Sequence, residues 1–226
     1  MANGAGGSIT PFFTIWTQPR ATIRRIVDSD PTRNVIALAA IGPAIRWLGF
    51  EWSMALSSNA NLSVLWPLWV AAMAVAQAAL GVLSLFIGGV ILKWTGSLLG
   101  GVASRVEVRA AIAWPQVIWI EIQVVMLIPL LLGVLPIPHF TPGTVPRFDP
   151  AFYKLAIVGG VIGGVFGFWA FVVGLKCLGE VHRFSAWRAL AATLIPSLIA
   201  LAAILFLHFA FGLPTGRLRL FSSFHV

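Results

Sequence analysis

Residues 64–92 read VLWPLWVAAMAVAQAALGVLSLFIGGVIL and end against Lys93. No charged side chain interrupts the run. A helix rises about 1.5 Å per residue and crosses hydrocarbon in about 20 residues. This stretch is therefore long enough to span a bilayer and too apolar to face water. Four further stretches share its character: about Val35 to Leu56, Ala110 to Leu135, Leu155 to Leu175 and Trp187 to Leu213. They predict an all-α, polytopic membrane protein with five transmembrane helices.

Composition agrees. The 226 residues are 59% apolar and only 10% charged, against roughly 25% charged in a soluble domain. Mean hydropathy is +0.94. A water-soluble globule and a disordered tail are both excluded, since neither solvates so much apolar surface. The net charge is +8, but the basic residues are dispersed between apolar runs. That argues against a nucleic-acid patch and for loops facing anionic lipid.

Lys and Arg separate by side. Arg20, Arg24, Arg25, Arg33, Lys93, Arg105, Arg109, Lys176, Arg183 and Arg188 fall at one end of the spans. Arg147, Lys154, Arg217 and Arg219 fall at the other. The positive-inside rule then predicts a cytoplasmic N-terminus and a C-terminus on the opposite side. The short apolar run Ile9 to Trp16 precedes the positive charges, unlike a cleaved signal peptide. The expected organisation is a cytoplasmic segment 1–33, a five-helix domain 34–213 and a tail 214–226.

Pro19 suits a first helical turn, and Thr22 to Val27 gathers Ile23, Ile26 and Val27 on one side. With Phe12, Phe13 and Trp16 ahead of it, this reads as a short amphipathic helix at the membrane interface; an ordinary juxtamembrane segment is the alternative. Asp30-Pro31 reads as the cap and first turn of span one. Pro136, Pro138, Pro142, Pro146 and Pro150 exclude a helix between spans three and four, leaving an irregular lid or a stiff linker. Leu92-Lys93 and Leu175-Lys176 end spans two and four, and Arg109 and Arg188 open the spans that follow. A parallel duplication and chance both account for that likeness.

Two charges lie inside spans. Arg46 and Glu121 each stand about eleven residues, or roughly 16 Å, from the inner end of their helices. An unpaired charge there costs several kcal/mol, which predicts an Arg46–Glu121 pair. The alternatives are a snorkelling Arg46 with a protonated or hydrogen-bonded Glu121, or Glu51 as partner. Gln77, Gln116 and Gln123 add polarity that either lines a path or bonds across helices. In span four, Gly159, Gly160, Gly163, Gly164 and Gly167 give three G-x-x-x-G spacings, a pattern for close helix packing. Packing within the chain is the expectation, with a second copy as the alternative.

Catalytic signatures are absent: no H-E-x-x-H, P-loop or G-x-S-x-G occurs. His139, His182, His208 and His225 are scattered, and His182 reads as part of a polar loop at the inner surface. Cys177 is the single cysteine, so neither an internal disulfide nor a thiolate metal site is expected. No cofactor is expected.

Three segments carry a resemblance. Trp16-Thr17-Gln18-Pro19-Arg20-Ala21-Thr22-Ile23-Arg24 is similar to the opening W-x-x-P-R-x-T-I-R of bacterial proteins in the Yip family. Gly100 to Ser104 leading into Arg109-Ala110-Ala111-Ile112-Ala113-Trp114-Pro115 resembles the same family. So does Leu178-Gly179-Glu180-Val181-His182-Arg183-Phe184-Ser185-Ala186-Trp187-Arg188-Ala189-Leu190, its last cytoplasmic turn. The resemblance spans about Pro11 to Phe211. It implies five membrane helices, a cytoplasmic N-terminus, and neither enzyme activity nor cofactor. Eukaryotic members bind small Ypt/Rab GTPases in Golgi and endoplasmic reticulum trafficking. Their Asp-Leu-Tyr-Gly-Pro type motif is missing here, which argues against Rab binding and for a bacterial inner-membrane protein.

The expected function is membrane organisation or recruitment of a partner at a basic cytoplasmic face. Arg20, Arg24, Arg25, Arg105, Arg109, Arg183 and Arg188 would touch anionic lipid, a partner protein or a second copy. The alternative is a small transporter or channel with a polar site at Arg46 and Glu121.

Overall fold

The computed structural model describes residues 10–57, 66–131 and 150–211. Eight helices follow in order: α1 (Thr10–Thr17), α2 (Pro19–Ser29), α3 (Val35–Ser57), α4 (Trp66–Leu98), α5 (Arg105–Ala113), α6 (Gln116–Leu131), α7 (Pro150–Val181) and α8 (Ala186–Phe211). No strand occurs among the described residues. Pro67–Leu98, Arg105–Val125, Ile157–Val181 and Ala186–Phe206 are long and apolar enough to cross a membrane. Val35–Gly49 is a shorter apolar stretch within α3. These five correspond to the five hydropathy segments. The prolines between spans three and four and the tail 214–226 lie outside the described residues, except Pro150, which opens α7.

A bilayer core gives peptide groups no water to bond, so helices that satisfy their own backbone are the form such segments take. The third span departs from a straight rod. It is two helices meeting at Trp114–Pro115. Pro115 has no N–H to return to the turn before it, and its ring crowds that turn. The chain crosses the break with shorter-range bonds, Val117 N–H to the Trp114 carbonyl at 3.1 Å and Ile118 N–H to Pro115 at 3.3 Å. Below the break, Ser104 and Glu107 form a reciprocal capping box that starts α5. That short helix is the packing centre: Val108, Ala110, Ala111, Ala113 and Trp114 are all buried.

Asp30 does not cap α3. It ends α2, and its Oδ1 accepts from the Thr32 N–H at 2.9 Å and the Thr32 hydroxyl at 2.6 Å. Those bonds hold its carboxyl below the usual carboxylate range. Asn34, at φ 58°, turns the chain into α3, a left-handed conformation that asparagine tolerates.

The N-terminal segment also differs from a surface helix. It is a hairpin of two helices, α1 and α2, joined by Thr22 Oγ1 donating to Thr14 Oγ1 at 2.9 Å. Ile15, Thr22, Ile23 and Ile26 are buried in protein, with α2 seated on α7 and α5. The isoleucine face expected against lipid is an internal face. The reason is competition: α5 and α7 offer a matching apolar groove, and burial there removes the same surface from water.

Close helix approach is set elsewhere than the sequence pattern indicated. On α4, a side chain at Gly81 would collide with the Ala39 carbonyl and the Pro43 ring of α3. At Gly159, Gly160, Gly163 and Gly164 a Cβ would meet no described atom within 4 Å. Only Gly167 of that row has a close neighbour, the Trp119 ring. Among the described residues, the close packing expected of the G-x-x-x-G row is therefore seen only at Gly167. Spacing alone marks a smooth helix face and does not name what lies against it.

Gly81→Ala is expected to cost about 1–3 kcal/mol by forcing α3 and α4 apart. Gly163→Ala is expected to be neutral or slightly stabilising, since alanine is the better helix former. Thermal unfolding of the two variants in one detergent separates them, and equal melting temperatures would contradict the assignment of the crossing to Gly81.

Candidate functional site

Most of the basic residues gather at one end, where α2, the α4–α5 turn and the α7–α8 turn meet. Each turn needs one left-handed residue. Gly100 takes φ 83° in the first and Arg183 takes φ 59° in the second. The Val102 N–H donates to the His182 carbonyl at 3.4 Å and ties the turns together.

His182 is the wedge between them. It is 1% exposed, not the solvated loop residue its neighbours Glu180 and Arg183 indicated. Its ring lies directly against Gly96 and Gly101, where any Cβ would collide with it. Phe184 stacks on it at 5.0 Å with the rings parallel within 1°. Neither ring nitrogen is hydrogen-bonded among the described residues. Burial pushes the imidazole below the ordinary histidine range; the Leu92 carbonyl and Glu107 carboxylate pull upward, and Lys93 adds to the lowering. Glycine pairs at this spacing were the available signal, but only the fold shows what occupies the space they leave.

Arg24 clamps the hairpin to the same place. Its Nη2 donates to the Glu180 carbonyl at 2.9 Å and to Oε1 at 3.1 Å, and its Nε reaches Oε1 at 3.2 Å. Arg20 stands 3.7 Å from the other Glu180 oxygen and stays half exposed. Cys177 Sγ approaches the Pro19 carbonyl at 3.8 Å, fully buried. A cavity of about 850 Å³ opens here, lined by Arg20, Arg24, Asp28, Glu180 and Arg183 among others.

The expected basic face thus divides. Arg20, Arg25, Arg105, Arg183 and Arg188 are exposed. Arg24 is committed to Glu180. Arg109 is packed inward, its guanidinium 4.2 Å from the centre of the Phe86 ring and its stem against Gly89. The long aliphatic stem of arginine makes such burial favourable, so Arg109 is a packing residue and not part of the open face.

The two intramembrane charges are not paired with one another. Arg46 Nη1 donates to Gln116 Oε1 at 2.6 Å, and its guanidinium lies 5.8 Å from the Trp119 ring centre. Glu121 accepts a hydrogen bond from the Trp16 indole N–H. Trp16 reaches it because α1 runs inward beside α6 and α7. Phe12 packs on Trp114 at 5.4 Å, Trp16 meets Phe166 edge-on at 5.7 Å, and the Trp169 indole donates to the Trp16 carbonyl at 3.2 Å. Equal depth along two helices was the basis of the expected pair, but depth leaves azimuth open. Trp16 was visible only as an aromatic near the interface. Glu51's side chain lies outside the described residues. Gln123 packs against Gly49.

Among the described residues no group of three or more His, Cys, Asp or Glu is placed to hold a metal. A family model, the Yip1 domain, matches residues 13–207. No curated protein and no solved structure matches the chain.

His182 makes acid destabilising. Its folded pKa lies below the unfolded value near 6.5, so below that pH the unfolded chain binds a proton the fold refuses. The melting temperature is expected to fall between about pH 7 and 5.5, with a flatter profile in His182→Gln; an unchanged slope in that variant would assign the loss to other groups. Trp16→Phe is expected to cost about 1–3 kcal/mol by leaving the Glu121 carboxylate without its donor. Glu121→Gln keeps an acceptor and loses less, and the ranking is read from chemical or thermal unfolding.

Proposed function

This chain belongs to the Yip1 domain family, and on that premise we propose that it is a non-enzymatic membrane protein that recruits a partner protein at its basic end. That end faces the cytoplasm of a bacterial cell, in the inner membrane, and rests among anionic lipids. The ten-to-four bias of Lys and Arg supports the orientation. The observation that carries recruitment is the platform itself. Three segments distant in sequence are locked together by His182, the Val102 bond and the Arg24–Glu180 clamp. Exposed Arg20, Arg25, Arg105, Arg183 and Arg188 then stand on a fixed support. A preorganised charged surface loses little entropy on binding, and complementary charge speeds and orients encounter.

Transport drew on Arg46 and Glu121 acting at one polar site. Each now has its own partner on a different side of α6, so no observation favours that reading over recruitment.

Cross-linking in native membranes followed by purification tests the proposal. The wild-type chain is expected to capture a defined protein. Arg20→Glu with Arg183→Glu is expected to reduce its capture about tenfold or more, at about 1 kcal/mol per surface charge, while Arg46→Gln leaves it unchanged. Capture insensitive to the charge reversal, or no partner together with ion flux in liposomes, would overturn it.

A further inference from the structure

Arg46 lies inside a span, and no described side chain neutralises it. Gln116 is a neutral acceptor and Trp119 offers only a ring face. Among the described residues both ion pairs involve Glu180 at the basic end, and none involves Arg46. A guanidinium has five N–H donors, and among the described residues one hydrogen bond from Arg46 is formed, to Gln116. A cation held this way in hydrocarbon is costly. The donors left over suit an anion.

The neighbouring surface is shaped for one. A notch of about 300 Å³ is lined by Pro43, Arg46 and Trp47 of α3 and Gln77 of α4. It has a structural origin. Gly81 lies against Ala39 and Pro43, where α3 and α4 come closest. Gln77 is one helical turn beyond Gly81, and Arg46 and Trp47 are about one turn beyond Pro43. The notch is the first space left as the two helices part.

Depth selects the ligand. Trp94, 55% exposed and next to Lys93, and Trp187, 80% exposed, mark the boundary at the basic end, since tryptophan and basic residues anchor there. Gln77 stands 17 residues before Trp94 on one continuous helix, about 25 Å along its axis at 1.5 Å per residue. In a hydrocarbon core of about 30 Å, Gln77 and the Arg46 beside it therefore lie about 5 Å inside the far boundary, further out than the roughly 16 Å that counting along span one alone gives for Arg46. An arginine side chain reaches across that distance. The anion every leaflet presents at that level is the lipid phosphate, and the planar guanidinium fork suits it.

We propose that Arg46 and Gln77 form a binding site for the phosphate group of a phospholipid in the leaflet opposite the basic end. Arg46 supplies charge and donors, Gln77 supplies an amide from the facing helix, and the Trp47 ring walls the site. Because the contact is with phosphate, the headgroup beyond it is not selected.

Native mass spectrometry of the full chain in detergent, titrated separately with phosphatidylglycerol and phosphatidylcholine, tests this. The wild type is expected to retain one tightly held phospholipid of either kind. Arg46→Gln is expected to lower retention about tenfold or more, Arg46→Lys and Gln77→Ala by less, and Arg25→Gln at the basic end not at all. Thermal unfolding monitors each variant; if Arg46→Gln does not fold, Gln77→Ala and Arg46→Lys decide, and wild-type retention in either would overturn the site. Selectivity for phosphatidylglycerol alone would replace a phosphate contact by a net-charge effect. Release of the lipid by millimolar inorganic phosphate would make the ligand a free anion, and equal loss in Arg25→Gln would make it diffuse surface charge. Each of these three results overturns the proposal.

Discussion

Between Trp66 and Leu98 the chain runs through an environment that cannot hydrogen-bond to it. The backbone solves this by closing its own ladder. Side chains have no such internal solution, and the structure is organised by where their polar atoms find partners. Thr95 illustrates the cheapest answer, with its hydroxyl donating to the Ile91 carbonyl of its own helix at 3.1 Å and to Ala192 of α8 at 2.9 Å. Glu121 needs a donor from another element, and α1 is drawn inward to bring Trp16 to it. The lipid-facing surface then carries mostly apolar groups, such as Val161, Val165, Leu198 and Phe206.

The same demand explains why so much order is concentrated at one end. Helices in lipid gain little from simple apolar contact with one another, because lipid tails are equally apolar. Specific arrangement comes from close approach and polar bonds. The buried residues follow this: Ile15, Ile23, Val108, Trp114, Val173, Cys177, Val181 and Ala189 cluster where the hairpin, α5 and the lower parts of α7 and α8 meet. The outer halves of α4, α7 and α8 present exposed aliphatic and aromatic side chains instead.

The sequence made the helices legible because long uncharged runs have one stable solution in a bilayer. It did not show that span three would divide at Pro115. What it did not reveal were partners. Arg46 and Glu121 matched in depth, but the facing side of each helix depends on how the bundle rotates. The role of Gly96 and Gly101 was hidden because their occupant, His182, lies about 80 residues away in sequence. Ile23 and Ile26 gave a correct helix and the wrong neighbour, since a periodic face is the same whether it meets lipid or protein. The glycine row of span four failed in the converse way. Where a residue's fate depends on local backbone chemistry, as with the Ser104–Glu107 capping box, sequence and structure coincide.

That glycine row has a mechanical meaning. Each glycine in a helix forgoes roughly 1 kcal/mol of helical preference relative to alanine, and at Gly159, Gly160, Gly163 and Gly164 an added Cβ would meet no described atom within 4 Å. The part of α7 they occupy relies chiefly on its backbone ladder for its shape. Below it, Ala170, Val173, Cys177 and Val181 are locked into the basic end. One continuous helix therefore joins a tightly packed base to a segment whose glycines give it the weaker helical preference, so the segment is where α7 bends at least cost.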